Sequence, residues 1–169
     1  MLNDLPKRIK AFNIELRYIV NAALFIVMDN DTRDTSQFYA QLKGLSETNN
    51  ISIDHVYCIA IEELEAWLLG DINAIKFAYP ALRDRIATKH SQYTPDEIRQ
   101  GGTWEFLAEM LTKKGYSHFI KANPSYYDVG RRKSEWAEHI GKYMEIRQNQ
   151  SPSFNKLIDE LDKRVYMSI

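Results

Sequence analysis

Two groups of acidic residues carry most of the chemistry this sequence offers. Asp29 and Asp31 close one apolar run, and Glu62, Glu63 and Glu65 follow another. Asp29 and Asp31 are two residues apart, so in an extended chain their carboxylates project the same way. Carboxylates held that close repel, and a proton or a cation must relieve them. Oxygen donors of this kind suit Mg²⁺ or Mn²⁺ far better than zinc. Glu65 stands between Leu64 and Trp67-Leu68-Leu69, apolar company in which a carboxylate needs a partner. A plainer account competes. Asp and Asn are common after a strand, Asp34 or Thr35 can cap a helix, and Glu62 and Glu63 suit the positive end of a helix dipole.

The elements that must position these acids are readable nearby. Residues 22–28 form a short apolar run including Phe25, Ile26 and Val27, and residues 55–61 form another with Val56, Cys58, Ile59 and Ile61. Runs that short and apolar on both faces are the signature of buried parallel strands. Residues 36–45 between them read as an amphipathic helix through Phe38, Leu42 and Leu45. Strand, helix, strand with short joints is a βαβ unit. Ligands bind beyond the carboxyl ends of parallel strands. Both acidic tips therefore fall on one edge, and the candidate cation ligands are Asp29, Asp31, Glu62 and Glu65.

Helices are expected over most of the rest. Residues 5–16 place Leu5, Ile9, Phe12 and Leu16 at helical spacing, with Pro6 in the first turn. Residues 62–69 read as one helix bounded by Gly70, and Asp71 caps the next, which ends before Pro80. Thr94-Pro95 opens a short helix carrying Ile98. Thr103 caps a helix from 104 to about 113. Residues 133–144 and a final helix opened by Ser151-Pro152 complete the set. Residues 81–100 are the most polar and are expected to form a mobile excursion. The fold class is α/β: a parallel sheet core with a mostly helical carboxy-terminal half, in a single domain over residues 1–169.

Bulk properties exclude several classes. The formal net charge is -1, so no global positive field draws the chain to nucleic acid or anionic lipid. One cysteine, Cys58, rules out an internal disulfide. The longest apolar stretch, residues 19–28, is too short to span a membrane, and a cytoplasmic location is the default expectation. No Gly-x-x-x-x-Gly-Lys or Gly-x-Gly-x-x-Gly loop is present. His55, His90, His118 and His139 make no zinc pair. Arg131-Arg132-Lys133, with Tyr126 and Tyr127 just before, suits a nucleic-acid backbone with aromatic stacking; a solvated basic helix start with two packed tyrosines is the more ordinary reading of the same residues.

The run 26–31 resembles the Asp-x-Asp strand end of TOPRIM domains. The segment Ile59-Ala-Ile-Glu-Glu-Leu-Glu-Ala-Trp-Leu-Leu-Gly-Asp71, with Ala74-Ile75 and Tyr79-Pro80 beyond it, resembles domain of unknown function 4276, a TOPRIM-like group. Gly101-Gly102-Thr103-Trp104-Glu105, Lys133-x-x-Trp-Ala-x-x-Ile and Asn149-Gln150-Ser151-Pro152-Ser153-Phe154 extend the resemblance to most of the chain. It implies a TOPRIM-like, Rossmann-like sheet and metal-dependent phosphodiester chemistry of the nuclease type. Asp29 and Asp31 would hold Mg²⁺ or Mn²⁺. Glu65 would be a further ligand or orient a metal-bound water. Lys133 would stabilise charge on a scissile phosphate, with Arg132 beside it, while Ser151 and Ser153 match the last motif.

TOPRIM domains open with an apolar strand ending in a glutamate. Glu15 is the only acid between Asp4 and Asp29 and lies in a helix pattern, so that first strand and helix are expected to be missing. Two expectations follow. One is a Mg²⁺-dependent nuclease acting on nucleic acid. The other is a catalytically degenerate module that binds, docks on a partner ATPase, or pairs with a second copy through an exposed sheet edge.

Overall fold

The computed structural model describes residues 3–97, 101–112 and 114–166. In chain order it runs α1 (Leu5–Leu16), β1 (Ala23–Asp29), α2 (Thr35–Thr48), β2 (Asp54–Ala60), α3 (Glu65–Leu69) and α4 (Ile72–Ala78). It continues through α5 (Arg83–His90), α6 (Thr103–Leu111), α7 (Tyr116–Lys121), α8 (Tyr126–Gly141) and α9 (Pro152–Tyr166). Single 3₁₀ turns at Pro80–Leu82 and Ile146–Gln148 complete it.

β1 and β2 pair in parallel, from Ala23 opposite Asp54 to Asp29 opposite Ala60. The βαβ reading is correct, with each strand displaced by one residue from its expected bounds. Asp34 caps α2, its carboxylate accepting from the Gln37 backbone N–H at 2.8 Å. Alternation along the strands sends Leu24, Ile26, Met28, Tyr57 and Ile59 to one face, against Ile9, Phe38 and Leu42. The other face carries Cys58, a buried free thiol whose ionisation burial disfavours. Helix α9 closes over β2, and Arg164 reaches Asp54 at 2.8 Å. Among the described residues no third strand pairs with either edge, and Val27 remains 43% exposed.

A second core is built only of helices. Leu69, Ile75, Ile86, Leu107, Met110 and Ile140 have essentially no exposed surface there. The Trp67 and Trp136 side chains are buried as core anchors, and Trp104 packs edge-on against Tyr116 and Phe119. Each such aliphatic side chain contributes about 1.5–3 kcal/mol on burial.

Several expectations need correction. Residues 81–100 are not simply an excursion: α5 lies within them, and its one buried apolar side chain, Ile86, plugs the helical core. The expected Ile98 falls outside the described residues. Helix α3 begins at Glu65 rather than Glu62, because Glu62 is left-handed at φ 65° and its carbonyl accepts the Asp31 N–H at 2.8 Å. Thr103 does not cap α6. Gly102 occupies that position at φ 87°, and a Cβ there would collide with the Glu105 carboxylate. Helix α6 ends at Leu111, short of the expected bound, and Lys113 lies outside the described residues. Helix α8 starts seven residues earlier than expected, at a capping box of Ser125 and Asp128. Helix α7 had no counterpart among the expected elements.

Candidate functional site

The backbone leaves both strands the same way. Asn30 N–H bonds to Ala60 O at 2.9 Å, and Asp31 N–H to Glu62 O at 2.8 Å. Asp31 and Glu62 are each left-handed, at φ 51° and 65°. The chain thus turns sharply at the carboxyl edge of the sheet and passes directly into α3. Asp29 secures the crossing, its Oδ1 accepting the Leu64 N–H at 2.9 Å.

That turn delivers Asp29, Glu63 and Glu65 to one place, where Lys133 of α8 meets them. The Lys133 ammonium lies 3.1 Å from Glu65 Oε2 and 3.4 Å from Glu63 Oε1. The Glu65 contact is an ion pair and not an aligned hydrogen bond. Glu63 also accepts the Trp104 N–H at 3.2 Å, at the start of α6. Glu62 turns into the protein and accepts a short hydrogen bond from the Thr103 hydroxyl. Glu105 stands close by, with its Oε2 buried and without a hydrogen-bond partner among the described residues.

The cluster is rich in acid and poor in cations. Burial raises the carboxyls of Asp29, Glu65 and Glu105 above their ordinary range, with neighbouring acids adding to the effect. Glu63 is pushed up to about 7, chiefly by burial and despite Lys133. Burial works against the charged form of Lys133, but Glu65 and Glu63 outweigh it and raise the ammonium. The cation that the carboxylates require is therefore supplied in part by the chain itself.

The structure sorts the expected residues unequally. The Asp29 charge acts on Glu65, and the Lys133 charge acts on both, so the two strand ends bring these acids close together. Asp31 raises Asp29 by its charge but pairs elsewhere. Its left-handed backbone carries the carboxylate outward to Arg33 at 2.6 Å, so the same-direction projection expected of an extended chain does not hold. Glu62 is directed to Thr103 instead. Arg132, one residue from Lys133 and so on another face of α8, pairs with Glu135 at 3.0 Å and acts on Tyr79. Among the described residues, no group of three His, Cys, Asp or Glu side chains is arranged to hold a metal ion. Ser151 caps α9 through the Phe154 N–H at 3.2 Å, and Ser153 accepts the Trp67 indole N–H at 2.8 Å.

The sequence pattern places Glu63 at the shared acidic edge but gives it no ligand role, and it does not mark Thr103 or Glu105 for the site. The signal available for them was the Gly-Gly-Thr-Trp-Glu string, which places a polar helix start at 101–105. Tyr126 and Tyr127 are not packed: they are 96% and 76% exposed.

No described helix is long and apolar enough to cross a membrane. A sequence profile described as Domain of unknown function (DUF4276) matches residues 6–162. No curated protein and no solved structure matches the chain.

Proposed function

Taking as premise that the chain belongs to the DUF4276 family, a group of unassigned function, we propose that it is a TOPRIM-like, Mg²⁺- or Mn²⁺-dependent domain that hydrolyses nucleic-acid phosphodiesters. The observation that carries this reading is the meeting of Asp29, Glu63, Glu65 and Lys133 beyond the carboxyl ends of two parallel strands. The candidate donors suit such an ion in their chemistry, though the described residues hold no ready-made group of three: each donor is a carboxylate, acid exceeds base, and Glu105 keeps a buried oxygen without a hydrogen-bond partner among the described residues.

Asp29 and Glu65 are the residues that would hold the ion, which when bound supplies Lewis-acid polarisation of a phosphoryl oxygen. The chain's own groups do the rest. Glu63, poised at about 7, can hold or release a proton near neutral pH. Lys133 offsets negative charge at the cluster and can meet that of a phosphate. The hydroxyl of Thr103 fixes Glu62, and so the turn on which Glu63 stands.

A second reading is favoured by one observation. The Lys133 ammonium already sits on Glu65, where it would compete with a metal. A module that keeps this internal ion pair permanently would bind nucleic acid, a partner ATPase or a second copy without cleaving anything.

The test is cleavage of labelled single-stranded and duplex DNA and RNA with Mg²⁺, Mn²⁺ or chelator, beside Mn²⁺ titration by electron paramagnetic resonance. Metal-dependent cleavage that drops about a hundredfold or more in Asp29→Asn and Glu65→Gln is expected. Lys133→Met is expected to bind Mn²⁺ more tightly yet cleave more slowly. Mn²⁺ binding without cleavage would select the non-catalytic module. Absence of both would remove the metal site.

A further inference from the structure

Beside the acidic cluster lies a cleft that the proposed chemistry does not use. It is about 530 Å³ and runs between α3 and α8, with Phe154 of α9 at its back. Leu64, Leu68 and Trp67 form one wall, and Trp67 meets Phe154 edge-on at 5.6 Å between ring centroids. The opposite wall is α8 at Gly130, Ser134 and Ala137, small residues that leave the helix surface flat. A Cβ added at Gly130 would touch nothing within 4 Å, so this wall borders open space. Glu65 and Lys133 line the cleft as well as the cluster, so the two are continuous.

We propose that this cleft receives a nucleobase of a single-stranded nucleic acid, with the adjoining phosphate reaching Lys133. The inference rests on the phosphodiester reading and adds the form of the substrate. Three observations select this occupant over an apolar peptide. The cleft is apolar and aromatic along its walls but ends on the Glu65–Lys133 ion pair, whose ammonium can turn to the anion joined to a planar base. Tyr126 at its mouth and Tyr127 beside it project their rings into solvent, available for stacking. Arg131, one turn beyond Tyr127 on α8, is half-exposed and held by a surface ion pair to Glu135, which yields readily to phosphate. A base pair within a duplex could not enter; a base free of its partner can.

The experiment measures binding in chelator, where no metal-dependent cleavage occurs, using fluorescence anisotropy. The probes are an oligothymidylate, an abasic oligomer of equal length and charge, and a duplex of the same length. The wild-type chain is expected to bind the oligothymidylate about tenfold more tightly than the abasic oligomer and the duplex. Ala137→Trp, an exposed position whose new side chain fills the cleft, is expected to erase that preference while its unfolding midpoint stays unchanged. Tyr126→Ala, also fully exposed, is expected to reduce it about threefold or more. Equal binding of base-bearing and abasic oligomers overturns this inference and leaves the phosphodiester reading standing. Preference for duplex, or a preference untouched by Ala137→Trp, also overturns it. Failure to bind any of the three overturns it as well, while the metal-dependent cleavage assay decides the phosphodiester reading separately.

Discussion

Glu63→Gln isolates the electrostatic strain of the acidic cluster. In the folded chain Glu63 is pushed from 4.5 to about 7. Between those values the native state holds a proton that the unfolded chain has lost. The native state binds more protons, so stability falls as pH rises through this window. The slope is about 1.4 kcal/mol per pH unit, and the whole interval amounts to about 3 kcal/mol. Glutamine resembles the protonated glutamate and keeps an acceptor for the Trp104 N–H. The variant should match wild type near pH 4.5 and exceed it by about 2–3 kcal/mol near pH 8. Its loss of attraction to Lys133 is already contained in the value of about 7. Urea unfolding, followed by tryptophan fluorescence at intervals across that range, gives the difference directly. Taking the difference between the two proteins cancels groups such as Asp54, whose carboxyl is lowered by Arg164 and titrates at the acid end in both. A difference that stays constant with pH, or that favours wild type at high pH, refutes the reasoning.

Other perturbations read other contacts. Thr103→Val removes the hydroxyl that Glu62 accepts and should cost about 1–3 kcal/mol, whereas Thr103→Ser should recover most of it; chemical denaturation decides. Ser46→Ala cuts a buried link in which the Ser46 hydroxyl lies 2.6 Å from the Tyr57 hydroxyl and 2.8 Å from His55 Nε2, and a loss of about 1–2 kcal/mol is expected by the same measurement. Gly70→Ala drives a Cβ into the Asn149 side chain, which holds Trp67 O at 2.7 Å and Ser151 N–H at 2.9 Å; a loss of about 1–3 kcal/mol and a lower thermal midpoint should follow. Asp29→Asn should abolish metal-dependent cleavage while leaving the circular dichroism spectrum intact.

The scaffold was legible where the sequence pattern and the burial coincide. Runs of Phe, Ile and Val with acids at their ends identified β1 and β2, and the spacing of Phe38 and Leu42 identified α2. Burial at a single position defeats such reading. Helix α5 turns only Ile86 fully inward, and the rest of its sequence looks like solvent. The first turn of α8 was hidden by exposed Tyr126 and Tyr127, although the Ser125-x-x-Asp128 spacing carried the capping signal.

The site was legible only as far as strand direction sets it. Asp29 and Glu65 followed from two parallel strands ending in acid. Asp31 went astray because one left-handed residue rotates a side chain away from its neighbours, and sequence spacing does not encode that. Glu62 and Glu63 exchanged roles for the same reason. Lys133 came from the resemblance; its partners became visible only once α8 was seen to cross α3.

The two hydrophobic cores meet where the acids lie. Asp29 is anchored in the sheet-bearing lobe, while Glu65, Thr103 and Lys133 belong to the helical one. Anything that bridges Asp29 to Glu65 therefore staples one lobe to the other. Occupancy at so small a spot would register across the whole molecule, as a rise in melting temperature that grows with the logarithm of ligand concentration.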